Sequence, residues 1–599
     1  IVNNIVSILG FLVFIWVFGL HRDATGWTPG MVALMGGTAT DIKLEFNPRD
    51  YAMVVIDEAH NLRNPSTLRA NALRRLLAGS PPKDLVLITA TPVNNSLWDL
   101  YYLLAYFIHN DAAFADSGLR SLRDHFAVAM ALAPDDLSPE HLFDVLDAVA
   151  VRRTRAFVKA YYPNDTVPID GREVTITFPT PRVHKVDYDL DAVLPGFFDR
   201  FAHALDGAAI GPGDPSVLTL ARYAPSLYRN DNDTDAYEVQ LAGLLRSGLL
   251  KRFESSAHAF AVTCRKMAGS HDAMLSLLDT GKVATGRALA DWAATDNDDL
   301  DEVTDYLAAH DDLDDAAEYD TDLLRVNVEA DRDLLLAFAA EANTVTADSD
   351  PKLAALVEQL AGIAAEAAHE GIGDDDTRDK RKVLVFSYFA DTVDWITGHL
   401  ARAVETDPRL AVYRGRVASV SGSVGSKEDV LWGFAPRTTD APDEVNRDRF
   451  DIVVATDVLS EGVNLQQARH IINYDLPWNP MRLVQRHGRI DRIGSRHPVV
   501  HLRCIFPDAQ LDDLLRLEER LHSKIKQAAA AVGVSRILPG SEESEVVFSE
   551  TREEIERLRQ GDAGLFERGG VRRSALSGEE YRQELRQALA NPDLAAQIE

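Results

Sequence analysis

Cysteine is nearly absent, with Cys264 and Cys504 the only two in 599 residues. Two thiols cannot form a disulfide framework or complete a structural zinc site alone, which fits a reducing, cytoplasmic interior. Lysine is scarce as well. Only 13 of the 62 basic residues are lysine, against 93 Asp plus Glu, leaving a formal net charge of −31 and a pI near 4.9. A field of that sign repels polyanions, so any nucleic-acid site must be a local Arg-lined groove. Carboxylate-rich, lysine-poor surfaces are expected of proteins working in concentrated salt, and the composition reads as halophilic, with a mesophilic acidic protein as the alternative.

Long hydrophobic runs are limited to the opening Ile1 to Leu20. Its unbroken part from Ile5 would span about 24 Å as a helix, short of the roughly 30 Å hydrocarbon core. No basic segment precedes it and no small-residue cleavage site follows, so a signal peptide is not expected. A buried helix or strand is favoured over a membrane anchor. The first residue is not Met, which raises the expectation of a longer parent protein.

The rest is ordinary for folded protein, 46% apolar and 26% charged, and its length calls for two or more cores. Short apolar runs alternate with helical patterns in two regions. MVVID (Met53 to Asp57) and LVLITA (Leu85 to Ala90) form the first set. VLVFS (Val383 to Ser387), DIVVAT (Asp451 to Thr456), HIINYD (His470 to Asp475) and VVHLRCIF (Val499 to Phe506) form the second. Continuous apolar strands joined by helices predict an α/β fold with parallel sheets covered on both faces. The expected division is an apolar N-terminal segment 1–49, a first lobe 50–190, an acidic helical insertion 191–349, a second lobe 350–507 and a helical tail 508–599. Acidic runs such as DDLDDAAEYD and DNDDLDEVTDY read as solvated helix faces and loops, and GDDDTRDK as a loop entering the second lobe.

Four motifs carry chemistry. In MVVIDEAH, Asp57 and Glu58 end a buried strand, where open parallel sheets bind ligands. Two carboxylates there suit nucleotide hydrolysis, Asp57 holding Mg²⁺ and Glu58 activating water. ITATPVNN places Thr89 and Thr91 at the end of the next strand. ATDVLSEGVNLQ supplies Thr456, Ser460 and Gly462 after a second-lobe strand, small enough for close approach to phosphates. QRHGRIDRIG spaces Arg489 and Arg492 three apart, on one face if helical, a spacing that could reach a γ-phosphate. His487, His497 and His501 have no nearby Cys-x-x-Cys, so core or surface roles are expected rather than a metal site.

Together the four motifs resemble DEAH-type superfamily-two helicases, and within them the SWI/SNF-like ATPases, over roughly residues 50–155 and 350–506. The run NYDLPWNPMRLVQRHGRIDRIG resembles the prokaryotic branch that includes the RNA-polymerase-recycling ATPase and phage-defence helicases; with the salt-type composition, it suggests a haloarchaeal member. The resemblance implies two RecA-like lobes, the first incomplete, and ATP hydrolysed between them with Mg²⁺. It implies translocation on double-stranded DNA through sequence-independent backbone contacts, with protein partners of a defence or transcription complex. Residue by residue, it makes Asp57 the Mg²⁺ carboxylate and Glu58 the catalytic base. It gives His60, Thr89 and Thr91 the coupling role, Gln485 the nucleotide site, and Arg489 and Arg492 the γ-phosphate. Arg152, Arg153, Thr456, Ser460 and Gly462 would touch nucleic acid. One departure is severe: the phosphate-binding run G-x-x-x-x-G-K-[ST] is absent from the sequence. Gly281-Lys282 is followed by Val283, and SGSVGSK (Ser421 to Lys427) has the wrong spacing. The alternative is an inactive remnant serving as a scaffold.

Overall fold

The computed structural model describes residues between Phe14 and Phe566, leaving several stretches aside, the longest being 36–52, 132–144, 207–214, 286–311 and 508–553. Two strands, β1 (Phe14–Asp23) and β2 (Gly26–Met35), pair antiparallel. β1 also pairs antiparallel with β3 (Met53–Ile56), through Ile15 opposite Ile56. α1 (Leu68–Leu77), capped by Thr67, then leads to β4 (Asp84–Leu87), parallel to β3. The first sheet therefore runs β2-β1-β3-β4 and is mixed rather than wholly parallel. The opening apolar run supplies a strand from Phe14 onward, as one of the two expected forms; residues 1–13 lie outside the described set. Among the described residues no helix is long and apolar enough to cross a membrane.

Beneath this sheet Val54, Ile56, Leu73, Leu76 and Leu103 make one core. α2 (Leu97–Leu104) and α3 (Leu122–Ala131) add a second cluster around Phe126. A short hairpin of β5 (Thr166–Ile169) and β6 (Arg172–Thr175) follows.

β7 (Thr180–Tyr188) departs from the sequence-based division. Placed with the first lobe on sequence, it pairs parallel with β14 (Val499–Pro507) along its whole length, Thr180 opposite Val499 through Tyr188 opposite Pro507. The second lobe thus begins with a strand contributed from before the insertion.

The described part of residues 191–349 is mostly helical. α4 (Phe197–Asp206), α5 (Ala236–Ser255), α6 (Ala257–Asp279) and α7 (Thr321–Ala342) enclose Phe197, Phe201, Phe253, Phe260 and Phe338. Phe201 and Phe260 meet edge to face at 4.9 Å, a geometry the ring quadrupole favours. The run DDLDDAAEYD does more than solvate: Asp315 accepts from Ala317 N at 3.0 Å, and Asp320 caps α7 through Leu323 N at 3.1 Å. It holds strand β9 (Leu313–Asp315), which pairs antiparallel with β8 (Lys282–Ala284), so Lys282 sits in a strand opposite Asp315. DNDDLDEVTDY lies outside the described residues.

α8 (Pro351–Glu370) follows, with Asp350 accepting from Lys352 N and Leu353 N and Pro351 at the first helical position. GDDDTRDK is not a loop; it lies in α9 (Gly373–Arg381). Three aspartates in its first turn and basic residues in its last match the helix dipole, and Asp376 pairs with Lys380 one turn on at 2.7 Å. The chain then alternates β10 (Val383–Phe386), α10 (Ala390–Thr406), β11 (Val417–Val420), α11 (Lys427–Phe434), β12 (Ile452–Ala455), β13 (His470–Asn473), α12 (Pro480–His487) and β14. The sheet order is β11-β12-β10-β13-β14-β7, every pair parallel. Leu384 and Phe386 face one core, Val383 and Val385 the other, so both faces are covered. From the tail, the helical residues 554–559 add Ile555 and Leu558 to the first of these cores.

Three imidazoles stack across β7, β14 and β13. His184 Nε2 lies 2.8 Å from His501 Nδ1, and the His501 and His470 rings are 4.9 Å apart. Burial, then the nearby Arg503, lowers His184 to about 4 and His501 to about 3, and drives His470 well below its ordinary value. An imidazole freed by unfolding titrates near 6.5. The stability these neutral rings contribute is complete above that pH and is lost as pH falls toward 4. Acidification from pH 7 to 4.5 should therefore cost stability, on the order of 1 kcal/mol for the His184–His501 pair once screening by solvent at these part-exposed rings is allowed for. Urea unfolding of the wild type and of the His184→Gln, His501→Gln double variant checks this. The variant should lose that part of the acid dependence, and an unchanged dependence would reject the assignment.

Candidate functional site

At the carboxyl end of β3 the chain turns sharply. Asp57 Oδ1 accepts from Glu58 N at 2.9 Å, and Glu58 adopts a left-handed conformation with φ 49° and ψ 45°. Non-glycine residues in that region are uncommon and bear strain, which concentrates at functional sites. Backbone pairing holds the turn, with Ile88 N donating to Ile56 O at 2.8 Å and Ala59 N to Ile88 O at 2.9 Å. The Glu58 side chain is buried, and its Oε2 lies 3.3 Å from His60 Nδ1. The same nitrogen is 3.3 Å from Thr89 Oγ1. Glu58, His60 and Thr89 thus form one contiguous group beside Asp57. Thr91 lies outside the described residues, as do Arg152, Arg153 and Gly462.

In the second lobe the arginines do not lie on a helix. α12 ends at His487, and Arg489 and Arg492 occupy the turns that follow. Local bonds keep those turns compact, Arg489 N donating to Arg486 O at 3.1 Å and Asp491 N to His487 O at 3.1 Å. Arg489 is fully buried, its Nε donating to Gln485 O at 3.1 Å and Nη1 to Val463 O at 3.4 Å. Arg492 donates Nε to Gly488 O at 2.7 Å and Nη1 to Asn464 Oδ1. Leu465 N to Arg489 O (3.0 Å) and Gln466 Nε2 to Ile493 O (2.8 Å) complete a seam between this segment and residues 463–466. Thr456 follows β12 in extended conformation, and Ser460 turns its hydroxyl onto Asp457 O at 2.7 Å. His487 pairs with Asp491 at 2.7 Å, and His497 is buried with Nε2 3.1 Å from Gln467 O.

Sequence reasoning missed Arg486. Fully buried, it donates Nε to Asp457 Oδ1 at 2.6 Å and Nη1 to Asn473 Oδ1 at 3.0 Å and Asp475 O at 3.4 Å. Its guanidinium also sits 5.2 Å from the Phe386 ring centroid. Arg486 therefore ties the arginine-bearing segment to the ends of β10, β12 and β13. Burial works to raise the Asp457 carboxyl, but Arg486 and Arg482 outweigh it and hold it below its ordinary value. The one local signal was an arginine amid apolar helix positions, which needs a carboxylate partner; Asp457, which follows β12, supplies it.

Two family models match this chain. Residues 38–170 match the SNF2-related domain, and residues 363–494 match the helicase conserved C-terminal domain. Both motif groups fall inside these two spans. The chain is 39% identical over 101 residues to the uncharacterized ATP-dependent helicase YqhH of Bacillus subtilis (strain 168), covering 17% of this chain and 18% of that protein. It is 26% identical over 234 residues to the ATP-dependent RNA helicase SrmB of Haemophilus influenzae, covering 36% of this chain and 51% of that one. The chain thus spans about half or less of the length of these relatives. Among solved structures, the C-terminal part of the Fun30 ATPase domain aligns at 16% identity with TM-score 0.26, over 64% of this chain and 99% of that one. The Pyrococcus furiosus Hef helicase domain aligns at 15% identity with TM-score 0.30, over 78% and 73%.

Proposed function

We propose that this chain is the motor portion of an ATP-dependent translocase that moves on duplex DNA. The observation that carries the reading is the Asp57, Glu58, His60 and Thr89 group at the carboxyl end of β3, accompanied by an arginine-bearing segment built onto a second, wholly parallel sheet.

The donor set suits a hard divalent cation, since Asp57 offers carboxylate oxygen at a strand end. Asp57 would hold Mg²⁺, which when bound with ATP neutralises charge on the phosphates. Glu58 would orient the attacking water and take its proton. His60, touching both Glu58 and Thr89, would pass the state of the base to the neighbouring strand end. Arg489 and Arg492 rest on carbonyls of their own lobe, so each must exchange those bonds to reach a γ-phosphate, with Gln485 beside them. Charge spreading over the phosphoryl oxygens would repay that exchange. The missing G-x-x-x-x-G-K-[ST] run favours one competing reading, a scaffold that keeps the helicase shape.

DNA contact in this account rests on Arg152 and Arg153 and on the turn from Thr456 through Ser460 to Gly462. A halophilic chain with −31 formal charges would bind by few ionic contacts, leaning on backbone N–H and hydroxyl groups. Isotherms on two unrelated duplexes across a KCl series should show affinities equal within about threefold and a shallow salt slope, of about −0.9 per phosphate neutralised. Strong preference for one sequence, or no binding at any salt, would count for the scaffold.

A further inference from the structure

The helical insertion and the second lobe have separate apolar cores, one around Phe197, Phe253 and Phe260, the other around Leu353, Leu356, Val385 and Ile396. Between them runs a polar seam at the break between α5 and α6. Ser255 Oγ donates to Asp475 Oδ2 at 2.7 Å and lies 2.9 Å from Thr392 Oγ1. Ser256 Oγ also lies 2.9 Å from Thr392 Oγ1. Arg252 pairs with Asp391 at 3.0 Å, and His258 stacks on Trp395 at 4.6 Å. Domain interfaces of this polar kind permit relative motion, whereas a shared apolar core resists it.

Glu254 lies at the bottom of the seam. Lys352 Nζ is 3.4 Å from its carboxylate and donates to Glu254 O at 2.7 Å and Ser255 O at 3.1 Å. Tyr188 Oη donates to Glu254 O at 3.5 Å, and the Lys352 ammonium also lies over the Tyr188 and Tyr474 rings at 5.1 and 4.7 Å. The remaining charges facing this pocket are Asp475, which also accepts from Ser387 Oγ and Tyr388 N, and Asp350, held by Trp395 Nε1 at 2.9 Å. Among the described residues one cation, Lys352, therefore serves three buried carboxyl groups.

We propose that this seam is a proton-dependent docking interface, which seats the helical insertion on the second lobe while Glu254 is protonated and loosens it as Glu254 ionises. The geometry gives the direction: ionised, Glu254 adds a third negative charge beside Asp475 and Asp350, with Lys352 the one described cation among them. Burial, partly offset by Lys352 and reinforced by Asp475, raises its carboxyl to about 7. A group whose docked value exceeds its free value favours docking below the free value, and that advantage drains away as pH rises through the docked value. Loosening would withdraw Ser255 from Asp475, whose backbone carbonyl accepts from Arg486. The seam thereby couples the insertion to the arginine-bearing segment.

Hydrogen exchange tests this on the intact chain without requiring ATP turnover, so its outcome is independent of the translocase reading. After correction for intrinsic rates, protection of the seam amides of Tyr388 and Leu476 should fall about tenfold between pH 6 and pH 8. Amides of Leu384 and Val385, inside β10, should keep their protection. In Glu254→Gln the seam should show no such pH dependence. Constant seam protection in the wild type, or the same fall in Glu254→Gln, would overturn the proposal. The wild-type measurement alone can refute it if the variant fails to fold.

Discussion

Replacing Glu58 by Gln, in a form of the protein supplied with a phosphate-binding loop, should reduce ATP turnover to background and leave ATP binding intact. The swap keeps the shape of a side chain that is buried and whose backbone sits at φ 49°. It keeps the neighbouring Asp57 carboxylate and removes only the proton acceptor. A positioned base contributes about 10² to 10⁴ in rate, so the loss should be at least a hundredfold. Arg492→Ala should do as much by a different route, since an arginine at a transferring phosphoryl group contributes about 10³ to 10⁵. Single-turnover phosphate release paired with a fluorescent-nucleotide binding curve separates chemistry from binding. Retention of more than a tenth of wild-type turnover by Glu58→Gln would remove that residue from the role of base.

Arg486→Ala should be the most damaging single change to the second lobe. Arg486 is fully buried, and its guanidinium is shared among Asp457, Asn473 and the carbonyl of Asp475. Truncation leaves the Asp457 carboxylate with only the partly exposed Arg482, at 3.2 Å, to balance it. Breaking such a pair by removing one partner costs about 3 to 5 kcal/mol. Arg486→Lys should recover little, because a compact ammonium lacks the planar, spread donors with which the guanidinium reaches Asp457, Asn473 and Asp475 O together. Guanidinium unfolding with a probe in the second lobe measures the loss, and a change below about 1 kcal/mol would show that the pair is dispensable.

The wholly parallel second sheet could be read from its sequence because its strands are continuous apolar runs, such as VLVF and IVVA, buried on both faces. β7 escaped that reading. Its sequence TPRVHKVDY alternates, since it is the edge strand and half its side chains meet solvent. Nothing local shows that its partner is β14, more than 300 residues away. GDDDTRDK looked like a loop because it has no apolar face. Its helix rests instead on charge placement along the dipole and on the Asp376 to Lys380 pair. At the candidate site, Asp57, Glu58 and Thr89 could be singled out because they follow short apolar strands. The left-handed conformation of Glu58 could not be, since no residue type in DEAH demands positive φ. Arg486 was passed over in favour of Arg489 and Arg492 because its partners, Asp457 and Asn473, lie on strands that only the folded sheet brings together.

Phosphate release, with and without duplex DNA, by the 599-residue chain and by the same chain joined to a segment carrying G-x-x-x-x-G-K-[ST] tests the account most directly. Asp57 and Glu58 need an anchored triphosphate to act upon, so the chain alone should stay near background. The joined form should show DNA-stimulated turnover that Glu58→Gln abolishes. Robust turnover by the chain alone, or none by a folded joined form that binds ATP, would contradict it.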